Sequence, residues 1–212
     1  MTLTKICGLS TADTVDAALE GKAAFLGFMV FPGSPRDIDP AAAGRLAARA
    51  RGRAATVAVT VDPDNALVDR ITAALAPDFI QLHGRETPAR VAEIARRSGA
   101  RLIKVLSVAE SGDLDAAREF DGLVDHLMFD ARVPKGATRP GGMGARFDAT
   151  ILAGRRFERP WFLAGGLDPW NVAEAIRVSG APMVDVSSGV ERGAGLKDPA
   201  LIGAFLEAVR RA

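Results

Sequence analysis

The sequence predicts an α/β protein, a single-domain (β/α)8 barrel of eight parallel strands, and three observations carry the prediction. Short apolar runs are each followed by an alanine-rich or charged stretch with helical periodicity, and the alternation repeats through the whole chain. Sharing 212 residues among eight such units leaves about 26 for each, near the lower end of a fold whose range begins at roughly 200 residues. The turn after the first strand, Cys7-Gly8-Leu9-Ser10, lacks the G-x-G-x-x-G pattern with which a doubly wound open sheet usually begins.

The elements follow in order. The run LTKIC at 3–7 is a strand, followed by a helix at 12–20. AFLGFMV at 24–30 precedes an alanine-rich helix at 40–51, and the β-branched ATVAVT at 55–60 precedes a helix at 65–75. FIQLH at 79–83 leads to a charged amphipathic segment at 88–98, and LIKVL at 102–106 to a helix at 113–120. VDHLMFD at 124–130, WFLA at 161–164 and MVDVS at 183–187 complete the strands, with helices at 146–153, 169–178 and 199–210. Asp168-Pro169 reads as an N-cap followed by proline at the first helical position. No linker-like stretch or change of composition divides the chain, so residues 1–212 are expected to form one domain.

Composition narrows the function. Lysine and arginine number 27 against 26 aspartates and glutamates, with no block of one sign suited to a polyanion, so nucleic acid is not the expected partner. The apolar run at 23–31 is far too short to span a bilayer, and the first residues lack the pattern of a secretory signal. One cysteine fits a reducing compartment, the cytoplasm. Scattered Cys7, His83 and His126 show no paired ligand spacing, so no metal is expected.

In a barrel, chemistry sits at the C-terminal ends of the strands and in the loops beyond them. Two late strands finish in small residues, Gly165-Gly166 and Ser187-Ser188-Gly189. Backbone N–H groups and hydroxyls at such turns cradle a phosphate, and the loops after strands seven and eight are the frequent phosphate site of this fold. Cys7 ends strand one facing the mouth, as nucleophile or base. Asp130 ends strand six, suited to act as an acid or base from another side. Arg36 follows strand two, where its guanidinium suits a carboxylate. His83 and Asp185 also face inward, Lys5 is expected to pair with Asp185 where strand eight closes onto strand one, and Lys104 is read as inward-facing. Residues 131–145, with Gly141, Gly142 and Gly144, are long enough for a lid that keeps water from a labile intermediate.

Taken in order, Lys5-Ile6-Cys7-Gly8, Phe31-Pro32 with Ser34-Pro35-Arg36, Gln81-Leu82-His83-Gly84, Asp130 before a GGxG loop and Phe147-Asp148, Gly165-Gly166-Leu167, and the run from Val184 through Ser187-Ser188-Gly189 to Glu191 resemble phosphoribosylanthranilate isomerase, a family of tryptophan biosynthesis. The resemblance spans nearly the whole chain and implies a (β/α)8 barrel. It implies a cofactor-free Amadori rearrangement of a phosphosugar-anthranilate substrate, with Asp130 as general acid and Cys7 as general base. It further implies Arg36 as partner of the anthranilate carboxylate, and Gly165, Gly166, Ser187, Ser188 and Gly189 as the phosphate grip. His83 and Asp185 are then site-lining residues that contact substrate.

These tasks require Asp130 to hold its proton until it is needed and the Cys7 thiol to be lowered in the complex. The chain departs from the family pattern at Met143, where threonine or serine is common, at Ala149, where tryptophan often follows Phe-Asp, and in a lengthened segment before the lid glycines. The alternatives are another phosphosugar barrel, such as a histidine-pathway or dual-specificity isomerase, and a phosphoryl-ligand binding barrel without chemistry. Family members are monomers or homodimers, and either state fits.

Overall fold

The computed structural model describes residues 1–131 and 147–212. The expected lid glycines Gly141, Gly142 and Gly144 lie outside the described residues. Eight parallel strands close into a barrel in sequence order. They are β1 (Leu3–Cys7), β2 (Phe25–Met29), β3 (Ala55–Thr60), β4 (Phe79–Leu82), β5 (Arg101–Val108), β6 (His126–Ala131), β7 (Trp161–Leu163) and β8 (Met183–Val186). Closure runs between β8 and β1, with Lys5 in register with Asp185.

The strand alternation separates two apolar cores. Phe25, Val57, Phe79, Ile103, Met128, Phe162 and Met183 fill the barrel. Ile6, Leu26, Ala58, Ile80, Leu102, Phe129 and Val184 point outward into the layer under the helices. The floor is aromatic, with His126 stacked on Phe79 at 5.2 Å and edge-on to Phe25 and Phe162. Burial lowers the His126 pKa and keeps that ring uncharged in its apolar setting.

The helices α1 (Ala12–Glu20), α2 (Pro40–Ala47), α3 (Asn65–Ala74), α4 (Pro88–Ser98), α5 (Val172–Ser179) and α6 (Pro199–Arg210) cover the sheet. Side chains of Thr11, Asp39, Asp64, Thr87 and Asp198 accept first-turn N–H groups, and Pro40, Pro88 and Pro199 follow their caps.

Several expectations are corrected. The helix expected at 113–120 is a 3₁₀ segment, Ser111–Phe120, in which Gly112 and two aspartates weaken an α-helix. The one expected at 146–153 is a 3₁₀ turn at Ala149–Leu152. Helix α5 starts at Val172 rather than 169, because the Asp168 carboxylate accepts from the N–H groups of Trp170 and Asn171 and turns the chain first. A hairpin of β9 (Glu191–Gly193) and β10 (Leu196–Lys197), unforeseen in the sequence, stands between β8 and α6. Lys104 belongs to the outer face with Leu102 and Leu106; Ile103 and Val105 face the barrel interior instead.

Candidate active site

Strand β1 carries Lys5 and Cys7 up the inside of the barrel. Room for both comes from Gly27, in register with Cys7 on β2. A Cβ there would lie 3.0 Å from the Cys7 sulfur and 3.2 Å from Lys5 Cε. Lys5 is fully buried, and its Nζ donates to Asp185 Oδ1 at 2.8 Å. This is the expected pairing, and it gives Asp185 a partner inside the protein.

Charge sets the state of the thiol. Burial pushes the Cys7 thiol up and the Asp185 carboxylate adds to this, while the charges on Lys5 and Lys197 pull it down less strongly. The expectation of a lowered thiol concerned the complex; in the ligand-free protein the thiol is raised. Burial opposes the charge on Lys5, but Asp185 and Cys7 outweigh it, and the ammonium is held above its ordinary value.

Across the mouth, β6 presents Asp130. Its Oδ2 lies 3.2 Å from His83 Nε2, and His83 Nδ1 lies 3.3 Å from Gln81 Nε2. Oδ1 faces the loop after β7. There Gly165 has φ +93°, and a Cβ would come within 2.6 Å of the Ala131 nitrogen and 2.9 Å of Oδ1. Only glycine gives both the backbone conformation and the space. His83 is steadied from beyond: Glu86 accepts from Gly84 N at 3.0 Å and from Asp62 N at 2.9 Å. Lys104 reaches over from β5 to Glu86 Oε2 at 2.7 Å and to the Gly84 carbonyl at 2.8 Å.

Arg36, in the loop after β2, lays its stem over Gly8, directly after Cys7. Its Nε and Nη2 hold Glu191 in a bidentate pair at 2.7 and 2.8 Å. Lys197 reaches the same carboxylate at 2.5 Å and donates to the Ser187 carbonyl at 2.8 Å and its hydroxyl at 3.2 Å. Burial favours a neutral Glu191, but Arg36 and Lys197 win and keep it ionised below its usual range. Burial outweighs Glu191 at Lys197, whose ammonium is lowered.

The two small-residue loops meet. A Cβ on Gly189 would collide with the Leu167 carbonyl, so the loops after β7 and β8 touch at backbone level. Asn171 donates from Nδ2 to the Gly166 carbonyl at 2.8 Å and accepts the Asp168 N–H at 2.9 Å. The Ser187 hydroxyl donates to the Cys7 carbonyl at 3.3 Å, which ties the loop after β8 to the end of β1. Ser188 and Gly189 open a short 3₁₀ turn, Ser188–Val190.

A family model described as N-(5'phosphoribosyl)anthranilate (PRA) isomerase matches residues 4–208. The chain belongs to the phosphoribosylanthranilate isomerase family. A relative of that name from Caulobacter sp. strain K31 is 66% identical over 212 residues, the full length of both chains. Another from Caulobacter vibrioides is 65% identical over 209 residues, 98% of this chain and 95% of the relative. The crystal structure of phosphoribosyl anthranilate isomerase from Thermotoga maritima superposes with a TM-score of 0.88 at 29% identity, covering both chains fully. A structure of such an isomerase in complex with reduced 1-(o-carboxyphenylamino)-1-deoxyribulose 5-phosphate gives a TM-score of 0.84 at 27% identity, again over both full chains. The chain is an isomerase of tryptophan biosynthesis.

The structure gathers the expected residues of this isomerase into two groups. Lys5, Cys7, Asp185 and Ser187 line the seam where the barrel closes. His83, Asp130 and Gly165 form the facing group. Sequence reasoning missed Glu86, Asn171 and Lys197 and left Glu191 without a task. For Glu86 the missed signal was Lys104, a cation within an apolar strand that needed a buried partner.

Proposed function

We propose that the isomerase converts N-(5-phosphoribosyl)anthranilate to 1-(2-carboxyphenylamino)-1-deoxyribulose 5-phosphate by acid and base catalysis from Asp130 and Cys7. Asp130 gives its proton to the ribose ring oxygen. The ring C–O bond breaks and leaves a protonated Schiff base between the anthranilate nitrogen and the first sugar carbon. Cys7 then removes the proton from the adjacent carbon, and the electron pair moves into the iminium to give an enolamine. Tautomerisation of the enolamine yields the ketone. The iminium is the electron sink, so the chemistry itself calls for no cofactor.

The observation that carries this reading is the placement of Cys7 and Asp130 at the C-terminal ends of β1 and β6, each held by its own charged or polar neighbours. A raised resting thiol fits the sequence of steps. The substrate becomes a cation only after the acid has acted, and that charge beside Cys7 favours thiolate at the moment a base is needed. Arg36, steadied by Glu191, meets the anthranilate carboxylate. Gly165, Gly166, Ser187, Ser188 and Gly189 supply backbone and hydroxyl donors to the phosphate, and Ser187 also braces that loop against β1. The chain works as one domain, in the cytoplasm, where its thiol stays reduced.

The test follows the fluorescence of freshly generated phosphoribosylanthranilate in the presence of chelator. Rapid loss with the wild type, abolished in both Cys7→Ala and Asp130→Asn, is the expected result. Well-folded wild type that leaves the signal untouched sinks the reading.

A further inference from the structure

Gln81 is 1% exposed, on the inner face of β4 two residues below His83. Its amide nitrogen lies 3.3 Å from His83 Nδ1, and its Oε1 is buried without a hydrogen-bond partner among the described residues. A buried amide oxygen left unpaired carries a cost of about 1–3 kcal/mol, so this orientation calls for a compensating reason. The next link supplies it. His83 Nε2 stands 3.2 Å from Asp130 Oδ2, and opposite an ionised carboxylate, which only accepts, Nε2 carries the hydrogen. In a neutral ring Nδ1 then has a lone pair and needs a donor, which the Gln81 amide N–H₂ provides. Turning the amide over would set Oε1 against Nδ1 and call for a hydrogen there, either in the other neutral form with a bare Nε2 or in an imidazolium.

We propose that Gln81 is a positioning residue that pins His83 in its Nε2–H form and thereby confines the acidic proton of Asp130 to Oδ1. The inference rests on the reading of Asp130 as the acid. With the Gln81 amide donating to Nδ1, a neutral His83 keeps its hydrogen on Nε2, and Oδ2 is its acceptor whether or not Asp130 is protonated. The proton must sit on Oδ1, the oxygen for which Gly165 clears space. The Gln81–His83 chain therefore aims the acid as well as anchoring it, since a proton on Oδ2 would face the imidazole and not the loop after β7.

The test is nitrogen-15 NMR of the full chain. It holds two histidines, so His83→Asn assigns the pair of imidazole spectra. In the wild type at neutral pH, His83 is expected to show a protonated Nε2 and a pyridine-like Nδ1. In Gln81→Glu, a carboxylate of nearly the same shape draws a proton onto Nδ1, and kcat is expected to fall about 10- to 100-fold with KM nearly unchanged. Gln81→Met, which only removes the donor, is expected to show both ring forms in exchange and a smaller loss of kcat. A wild-type His83 protonated at Nδ1 overturns the proposal. So does a Gln81→Glu enzyme that keeps the wild-type ring form and kcat. Turnover surviving in Asp130→Asn overturns the acid assignment itself, and the ring spectra separate that failure from a failure of the Gln81 role.

Discussion

Lys5 and Asp185 stand 180 positions apart in the chain and meet at 2.8 Å inside the barrel, where the last strand pairs with the first. The pair lies directly beneath the Cys7 thiol. Its charge therefore serves two ends at once: it closes the seam and keeps an ammonium whose field lowers the Cys7 thiol.

Breaking this pair from one side leaves an unpaired charge in the barrel interior, which costs about 3–5 kcal/mol. Lys5→Met is expected to lose that much stability in urea unfolding. Lys5→Met combined with Asp185→Asn is expected to recover most of it, because no lone charge remains. A double variant as unstable as the single one would show that packing, and not charge, dominates the site.

The thiol and the ammonium both make the fold sensitive to alkali, and the sign is the same for each. The thiol is held above its ordinary 9.0 and Lys5 above 10.5, so the folded state keeps protons that the unfolded chain has already released. Their contributions are complete at neutral pH. Stability is expected to fall from about pH 9 for the thiol, and further above 10.5 for Lys5, as pH climbs toward the folded values. Cys7→Ala should remove the earlier part of this decline in unfolding curves taken from pH 7 to 11.

Alkylation reports the same thiol directly. In the ligand-free enzyme the rate of iodoacetamide modification at Cys7 is expected to rise with a midpoint above 9.0. Because Lys5 pulls the thiol down, Lys5→Met should move that midpoint higher still. A midpoint at or below the ordinary thiol value in the wild type would contradict the dominance of burial.

Arg36 presents one edge, Nε and Nη2, to Glu191, and the proposed role of the guanidinium is to meet a ligand carboxylate. Arg36→Lys keeps a charge but loses the planar fork, and KM is expected to rise about 10- to 100-fold with a smaller change in kcat. Glu191→Gln frees the guanidinium to swing and should raise KM less. Steady-state kinetics with phosphoribosylanthranilate separates the two effects.

Gly165→Ala places a methyl group 2.9 Å from Asp130 Oδ1 and forces a side-chain residue to φ +93°. Its kcat is expected to drop at least about tenfold, since even a 1 Å displacement of a reacting group can cost a hundredfold. Unfolding midpoints measured in parallel distinguish a displaced Asp130 from a weakened fold.

Much of this site is legible from strand alternation alone. Residues 5 and 7, 81 and 83, and 185 and 187 share faces, and counting by twos from strands whose ends are clear places Cys7, His83, Asp130 and Asp185 at or within the mouth. The same counting failed at Lys104, because an apolar run buried on both sides gives no cue to its inner face. The hairpin of β9 and β10 escaped because strands of three and two residues carry too little pattern to detect. Glu191, Lys197 and Glu86 were opaque for another reason: Glu191 and Lys197 meet across the unforeseen hairpin, and their links to Arg36 and Ser187, like that of Glu86 to Lys104, join segments that only the folded barrel brings together.

The Glu191 carboxylate joins Arg36 to Lys197, and Lys197 grips Ser187. On the proposed assignment of Arg36 to the aromatic end of the substrate and of the loop at Ser187 to its phosphate end, the two ends would therefore not meet independent modules. Laboratory evolution toward a bulkier or uncharged aromatic amine, acting through Arg36, would loosen the opposite end of the ligand as well. Beneficial changes at the two ends should combine non-additively, and new specificities should be reached sooner by trajectories that mutate Arg36 and the hairpin together.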